Sequence, residues 1–578
     1  MTGARGLGEF INLKVHAQLT DPFVALASHG KHSTSPLVDP RPAPRHSSRM
    51  RHVLAASLLA VPALAQSNAV PGLDVRLYDV ADVAVYGRRG PVFPGGEVGI
   101  NIGHSMCNGG SVALPWVGTG SGGIMLQTFP KIASLLVRES NGRMVQVSGK
   151  SNLKHSRTAF NFTTGPCAPC NVGGSNQWGV GCADIYSSGF SSASNLGPTD
   201  EIDPWLGTWN PVGSYFDRGD PPVAGAQATD GIQSPINNSD PLLNRMIVSE
   251  ADLATAGTFY GQAHLMVIGE PIGNRGNNQS SRQMTFTRSG TTWTSGVTGS
   301  VVVGPVLTRW TGAATAIGSN GSNDGRFMVG CKVTGPVDGF WHYEIAMHNL
   351  DNAAGGAAVR IPVCGAARVR NAGFHDIDRD ATNDWVMNRT TNEIAFLMGD
   401  SNPLNWNTIY NVWFDCDAAP VSGTLAIDRA RAGAGANSVS VAAQVPGLLG
   451  HEYLGAGCGT PTPTLVANGV PASPNGSYTL RAQGTALAPV ALVLSLAGAN
   501  TSLGNGCVRF VDPALVIASL ASAADGAGGS VWGLPIPAGL SPFDLFAQQA
   551  EVVAGGPWLG SIALSNGLRV RVAGAGCQ

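Results

Sequence analysis

Between Phe340 and His348 large apolar side chains recur at every second position. Trp341, Tyr343, Ile345 and Met347 fall on one face, while Phe340, His342, Glu344, Ala346 and His348 share the other. A period of two predicts a strand with one face on a core and a polar face turned outward. Asn405 to Asp417 repeats the pattern less cleanly. Trp406, Thr408, Tyr410, Val412, Phe414 and Cys416 lie on one side, and Asn405, Asn407, Asn411, Asp415 and Asp417 share the other with Ile409 and Trp413. Val83 to Tyr86, Glu97 to Ile102, Gln262 to Ile268, Pro489 to Leu496 and Leu568 to Val572 are further short β-type runs between Gly, Asn and Ser clusters. These patterns predict an all-β, multidomain chain of β-sandwich-like domains. Residues 66–304 form an N-terminal β domain, 305–446 a second, 447–463 a Gly/Pro-rich linker, and 464–578 a C-terminal β-sandwich.

One apolar run reads differently. Val53 to Leu64 is almost uninterrupted, follows the basic Met50-Arg51-His52 and closes on Ala63-Leu64-Ala65. A basic start, an apolar stretch too short to span a bilayer and small residues at a cleavage site predict a signal peptide over 50–65. Residues 1–49 lack periodicity and are expected to be a non-native or disordered leader, with Met50 as the true start. No later stretch reaches the roughly 18 apolar residues of a membrane-spanning helix, so the mature chain is expected to be secreted or held at the cell envelope without a transmembrane span.

Composition supports this outline. The 77 Gly and 37 Pro among 578 residues, with only 12% charged residues, disfavour helices. Of 35 Lys+Arg and 37 Asp+Glu, seven and three fall within residues 1–65, leaving the mature chain at a net charge of about −6. That balance gives no electrostatic basis for binding nucleic acid.

All ten cysteines (Cys107, Cys167, Cys170, Cys182, Cys331, Cys364, Cys416, Cys458, Cys507 and Cys577) follow the expected cleavage site. An even number in an exported chain predicts disulfides, with pairing left open. Cys167-Ala168-Pro169-Cys170 lacks the histidine of a haem-attachment motif and the βαβ setting of a redox pair. His155, Cys167, Cys170 and Cys182 nevertheless make a Cys₃His set that zinc could take, against the disulfide reading.

Two further groups are candidate ion sites. His342 and Glu344, about 7 Å apart on one strand face, could share a metal if His375 came from a neighbouring strand; the alternative is a solvated face with a hydrogen-bonded histidine. Asp376, Asp378 and Asp380, beside Asn383 and Asp384, could gather around calcium, but Ala381 and Met387 stand where an EF-hand loop needs Gly and Glu, which leaves an acidic turn as the alternative. Gly103-His104-Ser105-Met106-Cys107 misses the nucleophile-elbow pattern at its last position, so Ser105 is expected to be a loop serine. No cofactor is predicted; calcium and zinc are the candidate ions.

Several of these segments together resemble a known set of proteins. Trp341 to Leu350, Gly373-Phe374-His375-Asp376, Asn405 to Asn411, and Leu153-Lys154-His155 followed by Cys167, Cys170 and Gly179 to Asp184 carry the likeness. The chain resembles large secreted proteins of unknown function from planctomycete-type bacteria. Its C-terminal part, with Gly533 to Pro537 and Leu564 to Leu568, is similar to a β module shared by many of their exported proteins. The resemblance implies export and implies no reaction. The expected role is a cell-surface or envelope-associated structural or binding protein, with a surface glycan or an envelope protein as partner; the alternative is a secreted metal-assisted hydrolase.

N-terminal sequencing of the exported protein should begin at Gln66 or within a few residues of it. Recovery of residues 1–49 on that protein would contradict it.

Overall fold

The computed structural model describes residues 69–572 apart from 154–158, 175, 191–194, 219–228, 237–239, 321–323, 339, 365–366, 391, 400, 448–450 and 469–470. The expected leader and signal peptide, His155 and Cys577 therefore lie outside the described residues. The fold is all-β, built from many separate antiparallel sheets.

The first module centres on a sheet in the order Thr292–Val303, Gln279–Ser289, Thr258–Met266, Lys131–Ser140 and Arg143–Gln146, with Ser151–Leu153 also paired to Lys131–Ser140. Two three-stranded sheets, one holding Glu97–Ile102 and the other His104–Asn108, cover one face. Ile100, Met106, Leu136, Leu265 and Trp116 fill the core between them. Ser105 lies buried within His104–Asn108 rather than in a loop, and no helix follows it, so the nucleophile-elbow geometry does not form.

The second module is a sandwich of two five-stranded sheets. One runs Ala314–Ser319, Arg326–Val337, Phe340–Asn349, Thr408–Cys416 and Val369–His375; the other runs Val386–Arg389, Glu393–Leu397, Gly356–Pro362, Pro420–Arg429 and Ser438–Pro446. Tyr343, Ile345 and Met347 meet Val359, Ile361, Phe396 and Ile427 in its core, as the alternation predicts.

The third module sets a five-stranded sheet containing Ile562–Val572 and Phe543–Val552 against a three-stranded one containing Thr479–Gln483. The stretch expected to be a linker carries a strand, His451–Leu454, on the edge of the five-stranded sheet, and Cys458 is tied to Cys507. Ions line the junction with the second module. Arg571 Nη1 lies 2.6 Å from Asp417, Arg368 pairs with both Asp417 and Glu452, and Arg569 also reaches Glu452.

The second face of Phe340–Asn349 departs from the sequence reading. Every residue from Tyr343 to Asn349 is buried, whichever face it occupies. The Glu344, Ala346 and His348 face does not meet water, because the central sheet of the first module packs over it. Leu135, Val137 and Met144 from that sheet join Met328, Ala346, Ile409 and Trp310 in one cluster. Polar side chains complete the contact. Asn407 Nδ2 donates to Ser134 O at 3.0 Å, Asn411 Nδ2 to Met144 O at 3.0 Å, and the Ile409 N–H to Gln146 Oε1 at 2.8 Å. An alternating strand looks half-exposed from its sequence, yet here a second sheet covers it, and Asn407 and Asn411 beside it answer that sheet's main chain.

The cysteines divide. Cys107–Cys167, Cys170–Cys182 and Cys458–Cys507 are disulfides, and Cys364 is also disulfide-bonded. Contrary to the expectation for all ten, Cys331 and Cys416 are free and buried. They lie in one sheet with Phe340–Asn349 between their strands, Cys331 opposite Ile345 and Cys416 opposite Trp341. Two strand steps alone span about 10 Å, beyond the roughly 7 Å Cα separation that a disulfide tolerates.

Buried histidines make stability depend on pH. Burial lowers His264 and His348 to about 3. Gln279 holds His264 Nε2 at 3.2 Å, and Asp351, Arg326, Arg275 and the neighbouring His348 complete the charge environment of the pair. Folded values lie below the unfolded value of about 6.5, so the unfolded chain takes up protons first as pH falls. The contribution is intact above about pH 6.5 and is lost progressively toward 3. Asp184 and Glu270, pushed up to about 7 by burial, act in the opposite sense as pH rises from about 4 to 7. A comparison of variants separates the two. The urea midpoint should fall less between pH 7 and 5 in His348→Leu than in the unmutated chain; an identical pH dependence would contradict this.

Candidate functional site

A cleft of about 430 Å³ opens where the first two modules meet, and His342, Glu344 and His375 all line it. Its floor comes from the second module. Its rim comes from the hairpin joining Lys131–Ser140 to Arg143–Gln146 in the first, whose two-residue turn, Asn141-Gly142, has positive φ at both positions (51° and 81°). Asn-Gly is the sequence that such a turn prefers, and it delivers Arg138 and Arg143 to the cleft.

Arg143 is held on two sides. Its guanidinium lies 3.7 Å from the centroid of the Trp413 ring and donates to Glu344 Oε2 at 2.6 Å. Trp413 can lie flat because Gly373 is opposite; a Cβ there would come within 2.3 Å of the indole. Glu344 also accepts from Asn411 Nδ2 at 3.4 Å. Arg138 turns away toward Asp252, donating to its main-chain and side-chain oxygens.

His342 stands between two carboxylates, with Nδ1 2.8 Å from Asp415 Oδ1 and Nε2 3.5 Å from Glu344 Oε2. The Glu344 contact, helped by Asp415, holds its pKa above the ordinary histidine value. Both ring nitrogens are directed at carboxylate oxygens rather than at an open coordination position. His375 lies beyond the intervening strand Thr408–Cys416, paired in register with Asn411, whereas His342 pairs with Asp415. It is thus two strands and four residues from His342, not on a neighbouring strand, and the backbone spacing places the two well apart. Burial lowers the pKa of His375. Among the described residues no group of three or more His, Cys, Asp or Glu is arranged to hold a metal.

The other candidates are engaged locally. Asp376, Asp378 and Asp380 are engaged within their own loop: Asp376 accepts from the Asp378 N–H at 2.9 Å, Asp378 from the Asp380 N–H at 2.7 Å, and Asp380 from Thr382. Asp376 further accepts from Asn402. These are turn-building contacts of short polar side chains with their own loop. Cys167, Cys170 and Cys182 have their sulfurs in disulfides, so they cannot serve as zinc thiolates. Asn407 and Asn411, on the polar side of the Asn405 to Asp417 stretch, are fully buried against the first module.

Arg138, Arg143 and Lys332 are not legible in the sequence as site residues. The Asn141-Gly142 turn between two apolar stretches is the available signal for the first two, and Lys332 faces Glu344 across a hairpin whose register sequence alone leaves open.

No family model matches the chain, and no curated protein matches it. Among solved structures, one of a form of BcpA, the major pilin subunit of Bacillus cereus, is similar at 10% sequence identity, covering 56% of this chain and 80% of that one, with a TM-score of 0.18. A likeness of that size carries no argument about fold or role.

Proposed function

We propose that the chain is an exported structural or binding protein of the cell surface or envelope, with a surface glycan or another envelope protein as its partner. The observation that carries this reading is the set of disulfides Cys107–Cys167, Cys170–Cys182 and Cys458–Cys507 in an all-β body. Such bonds persist in oxidising compartments and are rare in the cytosol. Two of them staple the loop-rich stretch between Cys167 and Cys182, where little regular secondary structure would otherwise hold the chain.

The alternative, a metal-assisted hydrolase, is favoured by the placement of His342, Glu344 and His375 in one cleft. Charge weighs against it. Arg143 occupies Glu344, and Arg138 and Lys332 stand on the same walls. A divalent cation there would meet the Arg143 guanidinium and the Lys332 ammonium in a partly desolvated site.

Cell fractionation with thiol accounting tests the proposal. The protein should appear in the envelope or extracellular fraction. Alkylation after denaturation without reduction should label Cys331 and Cys416 but none of Cys107, Cys167, Cys170, Cys182, Cys458 and Cys507. A cytosolic protein with those six labelled would contradict it.

A further inference from the structure

We propose that the cleft between the Asn141-Gly142 turn and Phe340–Asn349 binds a small oxyanion-bearing molecule, such as a carboxylate, sulfate or phosphate, with Lys332 as its main counter-charge. This deepens the binding reading by naming the ligand class for that site.

An ion pair is displaced at the cleft. Lys332 and Glu344 are directly opposite in the hairpin of Arg326–Val337 and Phe340–Asn349. Opposite charges at such positions ordinarily attract one another. Here Arg143 of the other module has taken the carboxylate at 2.6 Å, and Asn411 and His342 crowd the same group. Lys332 Nζ turns instead to a neutral acceptor, Thr311 O, at 2.8 Å. Among the described residues, no carboxylate lies within ion-pair distance of it. Of the cations lining the cleft, Arg143 is paired with Glu344 and Arg138 with Asp252, so Lys332 is the one left without an acidic partner.

The geometry suits a ligand. Arg143 is fixed between an indole ring and a carboxylate, so ordering it on binding costs little side-chain entropy. Its guanidinium has more donors than Glu344 uses. Ser140, Asn141 and Thr334 add neutral hydrogen-bonding groups around the mouth. The volume lies within the range that holds small organic molecules, about 300 to 1,000 Å³. Half-buried walls strengthen the attraction beyond that of an open surface.

Calorimetric titration of the full chain in a low-chloride buffer, with sodium sulfate, sodium phosphate and sodium D-glucuronate as separate probes, tests this. At least one probe should bind saturably at one site per chain and weaken as NaCl is added. The three probes distinguish which oxyanion the site prefers. Lys332→Gln should weaken binding by about tenfold, and Thr334→Trp at the exposed mouth should block it. Arg288→Gln, outside the cleft, should leave it unchanged. Absence of saturable binding by all three probes, or binding that Lys332→Gln leaves intact, would overturn the proposal. Neither outcome bears on export or on the disulfides, whose test is separate.

Discussion

The structure depends on one contact: the outer face of the sandwich sheet in the second module lies against the central sheet of the first, and buried polar side chains supply the main-chain partners between them. Apolar residues alone, such as Leu135, Val137, Met328 and Ile409, would give a contact free to slide. Asn407, Asn411 and Gln146 remove that freedom, because each bonds a particular main-chain group of the opposite sheet. A buried polar group left without its partner costs about 1 to 3 kcal/mol. The register of the two sheets is thereby fixed by a few hydrogen bonds rather than by area.

The cleft follows from the same contact. Where the sheets diverge beyond Met144 and Glu344, the hairpin turn of the first module stands over the second, and Arg143 crosses the gap to Glu344. That crossing strips Lys332 of its cross-strand partner. A docking device therefore leaves behind a cationic opening. The junction with the third module uses different physics. Asp417, Glu452, Asp544, Arg368, Arg569 and Arg571 form a network in which Arg571 and Asp417 are nearly inaccessible to water. Hydrogen-bonded amides and ion pairs such as Arg143–Glu344 serve the first joint together, whereas the second is lined by a network of ion pairs.

The elements are more legible in the sequence than their neighbours. The apolar alternation of Trp341 to Met347 marks the core face of that strand, and the β-type runs at Glu97 to Ile102 and Pro489 to Leu496 lie on observed strands. Periodicity reports that a face is polar without reporting what covers it, which is why His348 and Asn411 read as solvent-facing and are instead buried. Strand order is equally hidden. From sequence His375 looks available to His342, but Thr408–Cys416 lies between their strands; Cys331 and Cys416 look pairable, but Phe340–Asn349 lies between theirs. His451–Leu454 is obscured by the Gly and Pro around it, because an edge strand of four residues has too little pattern to stand out.

The polar contact welds the first two modules into one cooperative unit, and Gln146→Ala tests this most directly by leaving the buried Ile409 N–H without its acceptor. Hydrogen exchange followed by mass spectrometry on the full chain, with and without this substitution, reads both modules at once. Protection should fall together in Lys131–Ser140 and in Thr408–Cys416, by a free energy of about 1 to 3 kcal/mol. Loss confined to one of these strands, with the other unchanged, would mean that the modules are stable independently and that the contact does not unite them.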